Sequence, residues 1–404
     1  MSDAHARLAP ETRRTIFLLS LGTFASMASQ RICDAMLPEL ARVFNSSLAQ
    51  VAQVVSVFAI TYGAAQLFYG PLGDRFGKFR VITFCTMACS IGCVVAASAV
   101  GLDMLILARF LMALCAAALI PLTLAWMGDT IPSDQLQEML TRTGLGTTLG
   151  IVGGQLVGGI LTDTLGWRWA FVFLALLFGV VGSLLFVDWR RQAARQQEGA
   201  PSHGTANGQG FIRRAIAIAT GPWSRQILIL AVIEGASSFG VLAIWASHLH
   251  NTLGLSIAAS GAIVALFGMG GVLYMMVGRP IIRRLGQWRL VVVGGSLLGV
   301  CALVVAYAPH WLATVPASLL AGFGFFMFHN TMQTSATQMA PGARGTGVSL
   351  FASCLFLGQS LGVVLAAGLI DRLGTANVVA LGGVVMALAS AYFAWALKRH
   401  HRLA

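Results

Sequence analysis

The sequence predicts an all-α membrane protein in which twelve transmembrane helices form two six-helix pseudo-repeats. The first observation is composition, because 57% of the 404 residues are hydrophobic and only 10% are charged. Soluble domains contain about half apolar and a quarter charged residues. The second is length, since a span needs roughly 20 apolar residues and the chain has room for about twelve spans. The third is an internal repeat, in which polar landmarks recur after 208 or 209 residues.

Twelve apolar runs of spanning length follow one another along the chain, separated by short polar gaps. The first six lie at about 15–38, 48–72, 81–100, 103–127, 138–162 and 167–188. The second six lie at about 224–249, 256–278, 288–308, 311–335, 344–370 and 376–397. The first run has no small-residue cleavage site, so we expect a retained span rather than a signal peptide.

These runs predict three parts: an N-terminal six-helix bundle at 1–189, a cytoplasmic linker at 190–222 and a C-terminal six-helix bundle at 223–404. The first part of the linker is rich in Arg, Gln, Gly and Ser and cannot bury enough apolar surface to fold. Its second part, from Phe211, is short and amphipathic and is expected to lie in the membrane interface.

The repeat is visible in the polar residues that flank the spans. Four residues recur with the same residue type 209 positions later: Pro71, Arg75, Gly77 and Arg80 correspond to Pro280, Arg284, Gly286 and Arg289. At an offset of 208 the same holds for Gly150, Gly154, Asp163 and Gly166 on Gly358, Gly362, Asp371 and Gly374. A parallel repeat of this kind predicts a substrate cavity between the halves, near the membrane midplane.

The net charge of +12 could indicate a nucleic-acid partner, but the basic residues lie in the short gaps between apolar runs. With the N-terminus inside, twenty-one Lys and Arg residues fall on the cytoplasmic side and three fall outside: Arg42, Arg168 and Arg372. This positive-inside bias predicts that both termini are cytoplasmic and that the partner is the lipid bilayer rather than nucleic acid.

Enzyme and metal chemistry find no support in the motifs. The chain lacks a Gly-x-Ser-x-Gly elbow and a phosphate-binding Gly-Lys-Ser/Thr loop. Its seven cysteines all fall inside apolar runs, and the three at intervals of four, Cys85, Cys89 and Cys93, are expected to pack as small hydrophobic residues. We therefore expect neither an enzyme nor a cofactor or metal.

Several motifs resemble those of one family. The stretch Gly70–Arg80, with Asp74, Arg75, Gly77 and Lys78, resembles the loop between spans 2 and 3 of the major facilitator superfamily, although Phe79 replaces its second base. Arg109 inside an apolar helix resembles the span-4 arginine motif, although Ala113 replaces its usual glycine. The span-5 glycines are similar to the antiporter motif of the drug:proton branch, with Gln155 in place of proline. Two further stretches resemble the twelve-span drug:proton antiporters, namely Gly166–Phe171 and Asp34–Leu40.

The resemblance implies a monomeric transporter of the bacterial inner membrane. Such proteins export drugs or metabolites in exchange for protons, so we expect multidrug-type efflux of small amphipathic or cationic compounds by alternating access. Two alternatives stay open. One is a sugar or metabolite facilitator of the same fold, and the other is a non-transporting membrane sensor.

Four charged residues lie within the apolar runs: Arg31, Asp34, Arg109 and Glu234. Each charge costs roughly 2.5–3.5 kcal/mol at mid-membrane, so each needs a reason. Glu234 lies about 15 Å from the cytoplasmic end of its span at 1.5 Å per residue. Burial there favours the neutral carboxyl, so we expect Glu234 to exchange protons or bind substrate. The alternative is an interhelical hydrogen bond.

Asp34 lies one turn before Pro38, so it is expected to be shallow and wet, and Arg31 on the same helix face could neutralise it. The resemblance makes Asp34 match the span-1 acid of drug antiporters. Arg109, at a compatible depth, could approach Asp34 and then move away, which would couple protons to the conformational change. The alternatives are a self-paired Arg31–Asp34 ion pair and a fixed pair that joins spans 1 and 4.

The span-5 glycines Gly150, Gly154, Gly158 and Gly159 allow close helix approach. Each could serve packing alone, but together they predict a sliding seam against a helix of the other half.

The span 2–3 loop predicts a conformational latch on the cytoplasmic side: Gly70, Asp74, Arg75, Gly77, Lys78 and Arg80. Arg283 occupies the repeat position of Asp74, so only the first of the two repeats has this acidic residue. A carboxylate is favoured at a helix N-terminus, and span 11 begins near Gly342–Gly345. The alternative is a turn whose charges only fix topology.

Polar or aromatic side chains within the spans are candidates for the substrate cavity: Arg31, Gln53, Trp126, Gln155, Trp245, His329, Asn330, Gln333 and Gln359. The alternative for most of them is hydrogen bonding between helices. His329 could titrate near neutral pH.

Overall fold

The computed structural model describes residues 10–196 and 208–403, which are helical apart from short turns. The first half contains α1 (Pro10–Arg31), α2 (Leu37–Val43), α3 (Leu48–Val51), α4 (Gln53–Phe76), α5 (Lys78–Ala97), α6 (Leu102–Ala116), α7 (Leu119–Thr130), α8 (Ser133–Thr164) and α9 (Trp167–Gln196). The second half contains α10 (Gly208–Thr220), α11 (Pro222–Glu234), a π-helical segment (Gly235–Gly240), α12 (Val241–Leu253), α13 (Ile257–Tyr307), α14 (Trp311–Gln338), a 3₁₀ turn (Pro341–Ala343) and α15 (Arg344–Leu403).

The described helices provide the twelve predicted spans. Nine stretches within the described ranges are long and apolar enough to cross a membrane, and two of them are of double length. These two, α13 and α15, each contain a glycine with left-handed backbone, Gly286 at φ 69° and Gly374 at φ 78°. Each glycine divides its helix into two spans, and α1 supplies the remaining one. The predicted fold class is therefore confirmed.

The central part of the predicted linker, residues 197–207, lies outside the described residues. On its near side α9 continues to Gln196, past the predicted boundary at 190, and on its far side α10 is helical. The interfacial position of α10 and the division into two bundles stay predictions.

Glycine packing shows that the two halves repeat each other in three dimensions. In α8, a Cβ at Gly150 or Gly154 would collide with the carbonyl oxygens of Phe24 and Ala28 in α1. In α15, a Cβ at the repeat position Gly358 would collide with the carbonyl oxygen of Val232, and a Cβ at Gly362 with that of Ala236. Val232 and Ala236 lie 208 residues after Phe24 and Ala28. The contact of α8 with α1 is thus reproduced by α15 with α11 and the π-helical segment.

The span predicted at 15–38 is not one continuous helix. Helix α1 ends at Arg31, and α2 begins only at Leu37. Pro38 lacks an N–H, and its ring disfavours helix around the carbonyl four residues earlier, which belongs to Asp34. Residues 32–36 instead form tight turns, with Asp34 N donating to Arg31 O at 3.2 Å.

Helix α11 also ends beside a charged residue. Its last residue is Glu234, and the π-helical segment follows directly. Gly235 allows the backbone of α15 to approach closely there, since a Cβ at this position would overlap the carbonyl oxygen of Leu355. Both halves therefore carry a helix irregularity next to their buried charges.

The two sides of the helix bundle differ in how their residues are buried. We define the terminal side as the side where Arg14 pairs with Asp188 and Trp223 stacks on His400. The starts of α1 and α11 and the ends of α9 and α15 lie on this side. On the opposite side, residues 25–37 and 238–249 are all buried. A cleft of about 580 Å³ lies at the terminal side between α1 and α8, with Phe17 and Leu149 in its walls.

Candidate functional site

The charge cluster of the first half lies in the break between α1 and α2. Arg31 Nη1 donates to Asp34 Oδ2 at 3.2 Å, and Gln155 Nε2 donates to the same oxygen at 3.0 Å. The relative exposure of Asp34 is 0% and that of Arg31 is 1%. The expected self-pairing is therefore present, but the expectation that Asp34 is wet was wrong, because its side chain is fully buried.

Arg31 also joins the two halves. Its Nη1 donates to the carbonyl oxygen of Phe239 at 3.4 Å, and its guanidinium carbon lies 4.3 Å from the centre of the Phe239 ring. Beside it, Gln30 Nε2 donates to Gln359 Oε1 at 3.0 Å. Among the described residues, Arg31 Nε and Asp34 Oδ1 have no hydrogen-bond partner. The polar contacts of this cluster thus cross the interface between the halves.

Arg109 does not contact Asp34 in this structure. Its guanidinium donates to the carbonyl oxygens of Ser29 at 2.6 Å, Val54 at 3.2 Å and Gln30 at 3.4 Å, and lies 3.9 Å from the centre of the Phe58 ring. Carbonyls in the last turn of a helix lack intrahelical partners, so Arg109 satisfies those exposed by the break after α1. It joins α6 to α1 and α4 through backbone carbonyls rather than through a charge pair.

The charge cluster of the second half joins α11 to α14. His329 Nδ1 and Glu234 Oε1 lie 2.7 Å apart, and the Glu234 side chain has 0% exposure against 15% for that of His329. Glu234 Oε2 has no hydrogen-bond partner among the described residues. The imidazole stacks on Phe325 at 5.2 Å between ring centres and also contacts Phe326 and Phe351.

The remaining cavity candidates divide by position. Asn330 is half-buried and Gln333 is exposed, and Gln333 lies one turn from His329 on the same face of α14. Trp245 is buried with its ring 6.3 Å from that of Phe267. Trp126 packs its ring 5.7 Å from that of Phe79 on the terminal side.

Gln53 is not part of the cluster. It is exposed and forms the first residue of α4, on the side opposite the termini. The interpretation of Gln53 as a cavity residue stays a prediction.

The span-5 glycines mostly face their own half. Gly150, Gly154 and Gly158 lie against the carbonyl oxygens of α1 and the residue after it, and only Gly159 approaches the other half, at Ile257 of α13. The expected seam against a helix of the other half is therefore limited to Gly159 in this structure. The other three share one helical stripe, and that stripe faces α1.

The loop between α4 and α5 turns at Gly77, whose φ of 89° is in the left-handed region. Lys78 pairs with Asp129 and lies 3.6 Å from Asp74. Arg75 lies over Phe76, and Arg80 lies over Trp189. Within the described residues, Asp74 makes neither a hydrogen bond nor an ion pair with the start of α15. The predicted latch contact is absent in this conformation. Gly70 leaves open space at its Cβ position.

A family model described as Major Facilitator Superfamily matches residues 19–363. The chain belongs to the Major Facilitator Superfamily.

The chain is similar to an uncharacterized MFS-type transporter, YwfA of Bacillus subtilis (strain 168), at 23% identity over 95% of this chain and 92% of that protein. It is also similar to a multidrug resistance protein B homolog of Mycobacterium tuberculosis (strain CDC 1551 / Oshkosh), at 24% identity over 80% of this chain and 69% of that protein.

Among solved structures, a bacterial homologue of the human lysosomal transporter Spinster, in an inward-facing and unoccupied conformation, matches with a TM-score of 0.74. The identity is 16%, and the match covers 96% of both chains, so this likeness concerns the fold. Membership of the Major Facilitator Superfamily places the chain with membrane transporters rather than with enzymes.

One cross-half contact of this Major Facilitator Superfamily chain was not predicted. The carboxylate of Asp163 accepts hydrogen bonds from the backbone N–H groups of Ile257 at 3.3 Å and Ala258 at 2.6 Å, in the first turn of α13. The sequence marks Asp163 as a repeated residue, but its repeat partner Asp371 is exposed and makes no such contact among the described residues. The repeated aspartate therefore makes this contact in the first half only, which the sequence repeat does not reveal.

Proposed function

We propose that this chain is a proton-coupled secondary transporter that exports small amphipathic or cationic compounds by alternating access. The observation that carries this proposal is the presence of two fully buried carboxylates, Asp34 and Glu234, each paired with a basic side chain where the helices of its half are irregular. A buried carboxylate can be neutralised either by a proton or by a cation, and these two ligands exclude each other.

Alternating access is supported by the one-sided burial. Residues 25–37 and 238–249 are buried on the side opposite the termini, whereas Gln333 is exposed toward the terminal side. With the termini in the bacterial cytoplasm, as the positive-inside rule predicts, the state proposed here faces the cytoplasm. Such a state would receive a compound from the cytoplasm before export.

Proton coupling is assigned to Asp34, Arg109 and Glu234. Protonation of Asp34 would release the electrostatic hold on Arg31, whose guanidinium reaches Phe239 in the other half. Arg109 would support this change indirectly, because it binds the carbonyls of Ser29 and Gln30 just before the break in which Asp34 lies. The state of Asp34 would therefore bias the packing of the halves on the side opposite the termini.

The latch on the cytoplasmic side belongs to the same cycle. In the proposed outward-facing state, Asp74 leaves its 3.6 Å contact with Lys78 and binds the N-terminus of α15, where a carboxylate is favoured. Cysteine labelling of the cavity in Asp74→Asn is expected to report a larger cytoplasm-facing population than in the unmodified protein. Unchanged populations would leave the loop with a topological role only.

The efflux assignment is supported by the name of one relative, the multidrug resistance protein B homolog. The bacterial relatives and the arginine distribution support a bacterial inner membrane location. A monomer suffices for the proposed mechanism because both charge clusters lie within one chain.

Transport by proteoliposomes under an imposed proton gradient tests the proposal. Unmodified protein is expected to accumulate tetraphenylphosphonium against its gradient, whereas Asp34→Asn and Glu234→Gln each reduce this accumulation at least about tenfold, since each removes a titratable carboxyl. Matched controls are Asp103→Asn and Glu39→Gln, which alter carboxylates at the ends of α6 and α2.

If both cavity variants keep proton-driven accumulation, the proposed mechanism is wrong. Gradient-independent equilibration of a sugar or other metabolite would indicate the facilitator instead. Failure to move any compound in a growth and susceptibility screen of cells with and without the gene would favour the sensor.

A further inference from the structure

We propose that a groove between α11 and the second span of α15, after Gly374, binds one anionic phospholipid. An acyl chain lies between the two helices, and Arg225 and Arg399 hold the phosphate. The four residues of the two charge clusters are not among those that line this groove. The inference therefore does not depend on the proposed transport function.

The groove is formed by matching faces of two antiparallel helices. Its volume is about 300 Å³, and each helix contributes four lining residues: Gln226, Ile229, Leu230 and Ile233 of α11, and Val385, Leu388, Ala389 and Tyr392 of α15. Both sets follow the spacing i, i+3, i+4, i+7 of one helix face. Leu230 and Ala389 are buried and form the floor, whereas Ile229 and Leu388 are exposed at 53% and 67% and form the rims. Seven positions of helix span about 10 Å, so the groove offers an extended apolar surface to an acyl chain.

The groove becomes polar and aromatic toward the terminal side. Gln226 and Tyr392 line that end, and the Tyr392 ring lies 5.7 Å from the ring of Trp395. Tyrosine and tryptophan are enriched at the depth of the lipid headgroups. The groove therefore extends from the hydrocarbon to the headgroup region, as an acyl chain of a phospholipid does.

Two exposed arginines lie beyond this end, one on each helix. Arg225 lies one turn before the lining residue Ile229. Arg399 lies two turns after Tyr392, and its guanidinium carbon is 5.7 Å from the centre of the Trp395 ring. Guanidinium groups bind phosphate oxygens in pairs, and basic residues between spans on the cytoplasmic side bind anionic headgroups. These arginines are thus placed to bind the headgroup of a lipid whose chain occupies the groove.

The first half neutralises the corresponding position with its own carboxylate. Between α1 and α9, Arg14 Nη2 lies 3.2 Å from Asp188 Oδ1. The residue 208 positions after Asp188 is Ala396, so the second half has no acid where α15 packs against α11. The ion pair that closes the first half on the terminal side is therefore not repeated in the second.

The second half has no acid near its two arginines. Residues 223–404 contain two acidic residues. Glu234 is buried, and Asp371 precedes the turn that joins the two spans of α15. Neither Arg225 nor Arg399 makes an ion pair with any residue that the structure describes. A negative charge from outside the chain completes this end, and the apolar groove that leads to it favours a lipid phosphate over a free anion.

Native mass spectrometry of the full-length protein in detergent tests the inference. The protein is titrated with phosphatidylglycerol or phosphatidylethanolamine that carry the same acyl chains. Each arginine near an anionic headgroup contributes about fivefold in affinity. We therefore expect one phosphatidylglycerol to bind with a Kd at least about tenfold below that of phosphatidylethanolamine.

Variants separate the headgroup contacts from the acyl-chain groove. Arg225→Gln/Arg399→Gln is expected to raise the Kd for phosphatidylglycerol at least about tenfold, since two cations are lost, and to leave that for phosphatidylethanolamine unchanged. Arg190→Gln/Arg191→Gln is the matched control, because it removes two exposed charges at the end of α9 and Arg191 is the repeat position of Arg399. Ala389→Leu fills the floor of the groove and is expected to weaken binding of both lipids by similar factors. Thermal unfolding verifies that each variant is folded.

Equal affinity for the two lipids, or an equal loss in Arg190→Gln/Arg191→Gln, would overturn the inference, because either result would reduce it to unspecific attraction. A dimer that Ala389→Leu converts to a monomer would assign the groove to a second copy of the chain and would also overturn it. The readout is lipid binding rather than transport, so failure here leaves the proposed function standing, and failure of proton-driven accumulation leaves this inference standing.

Discussion

The two buried charge clusters of this transporter lie beside corresponding helix irregularities but differ in their surroundings. The Arg31–Asp34 pair is enclosed by polar partners, with exposures of 1% and 0%, and reaches the other half at Phe239. The Glu234–His329 pair lies within the second half, is edged by phenylalanine rings, and keeps 15% exposure at His329. Enclosure suits a contact that holds the halves together, whereas partial exposure suits a site that exchanges ligands.

The repeat sharpens this contrast. The residue 208 positions after Arg31 is Phe239, which is the residue that Arg31 contacts, and the residue 208 positions after Asp34 is Leu242. The second half thus offers an aromatic ring and a backbone carbonyl where the first half has charges. The two clusters therefore occupy different positions of the repeated scaffold, which allows them to serve different steps of one transport cycle.

Removing the cation of the enclosed cluster is expected to have the largest effect. Arg31→Met leaves the Asp34 carboxylate buried with Gln155 as its remaining partner, which is expected to lower the free energy of unfolding by about 3–5 kcal/mol. The measurement is thermal or chemical unfolding in detergent. The double variant Arg31→Met/Asp34→Asn is expected to recover a large part of that loss, and a double variant as unstable as the single one would contradict the enclosed-pair account.

An intermediate effect is expected where α8 packs on the first cluster. A Cβ at Gly158 would overlap the carbonyl oxygen of Ile32, so Gly158→Ala is expected to destabilise the protein by about 1–3 kcal/mol. Gly144 in the same helix has open space at its Cβ position, which makes Gly144→Ala the matched control. Unfolding midpoints in detergent compare the two, and equal midpoints would argue against tight packing of α8 on the break after α1.

The smallest effect is expected at the cross-half contact that only one repeat makes. Asp163→Asn weakens the cap of α13, which is expected to cost about 0.5–2 kcal/mol and to raise labelling of cysteines placed on the side opposite the termini. Asp371→Asn, at the repeat position, serves as the control because that side chain is exposed. Equal labelling in both variants would show that Asp163 does not help to keep that side closed.

The sequence predicted those features that depend on local pattern. The length of the apolar runs predicts the spans, and Gly286 and Gly374 appear in the repeat because both helix pairs turn there. The spacing of three between Arg31 and Asp34 predicts their pairing, because residues three apart share a helix face.

Features that depend on tertiary packing were not predictable in the same way. Glu234 and His329 are 95 residues apart, and nothing in the sequence states that α11 lies against α14. The partners of Arg109 are backbone carbonyls freed by a helix end, and every residue type has such a carbonyl. A glycine stripe likewise shows that a close neighbour exists, but Gly150 does not reveal that this neighbour is α1.

The most direct test of the central claim compares tetraphenylphosphonium binding and proton-driven accumulation in Glu234→Gln and Asp34→Asn. The account predicts that Glu234→Gln loses both, whereas Asp34→Asn still binds the cation and loses its accumulation. Calorimetry in detergent and uptake by proteoliposomes measure the two properties on the same preparations. Loss of binding in Asp34→Asn as complete as in Glu234→Gln, or full binding by Glu234→Gln, would contradict the division of roles between the two clusters.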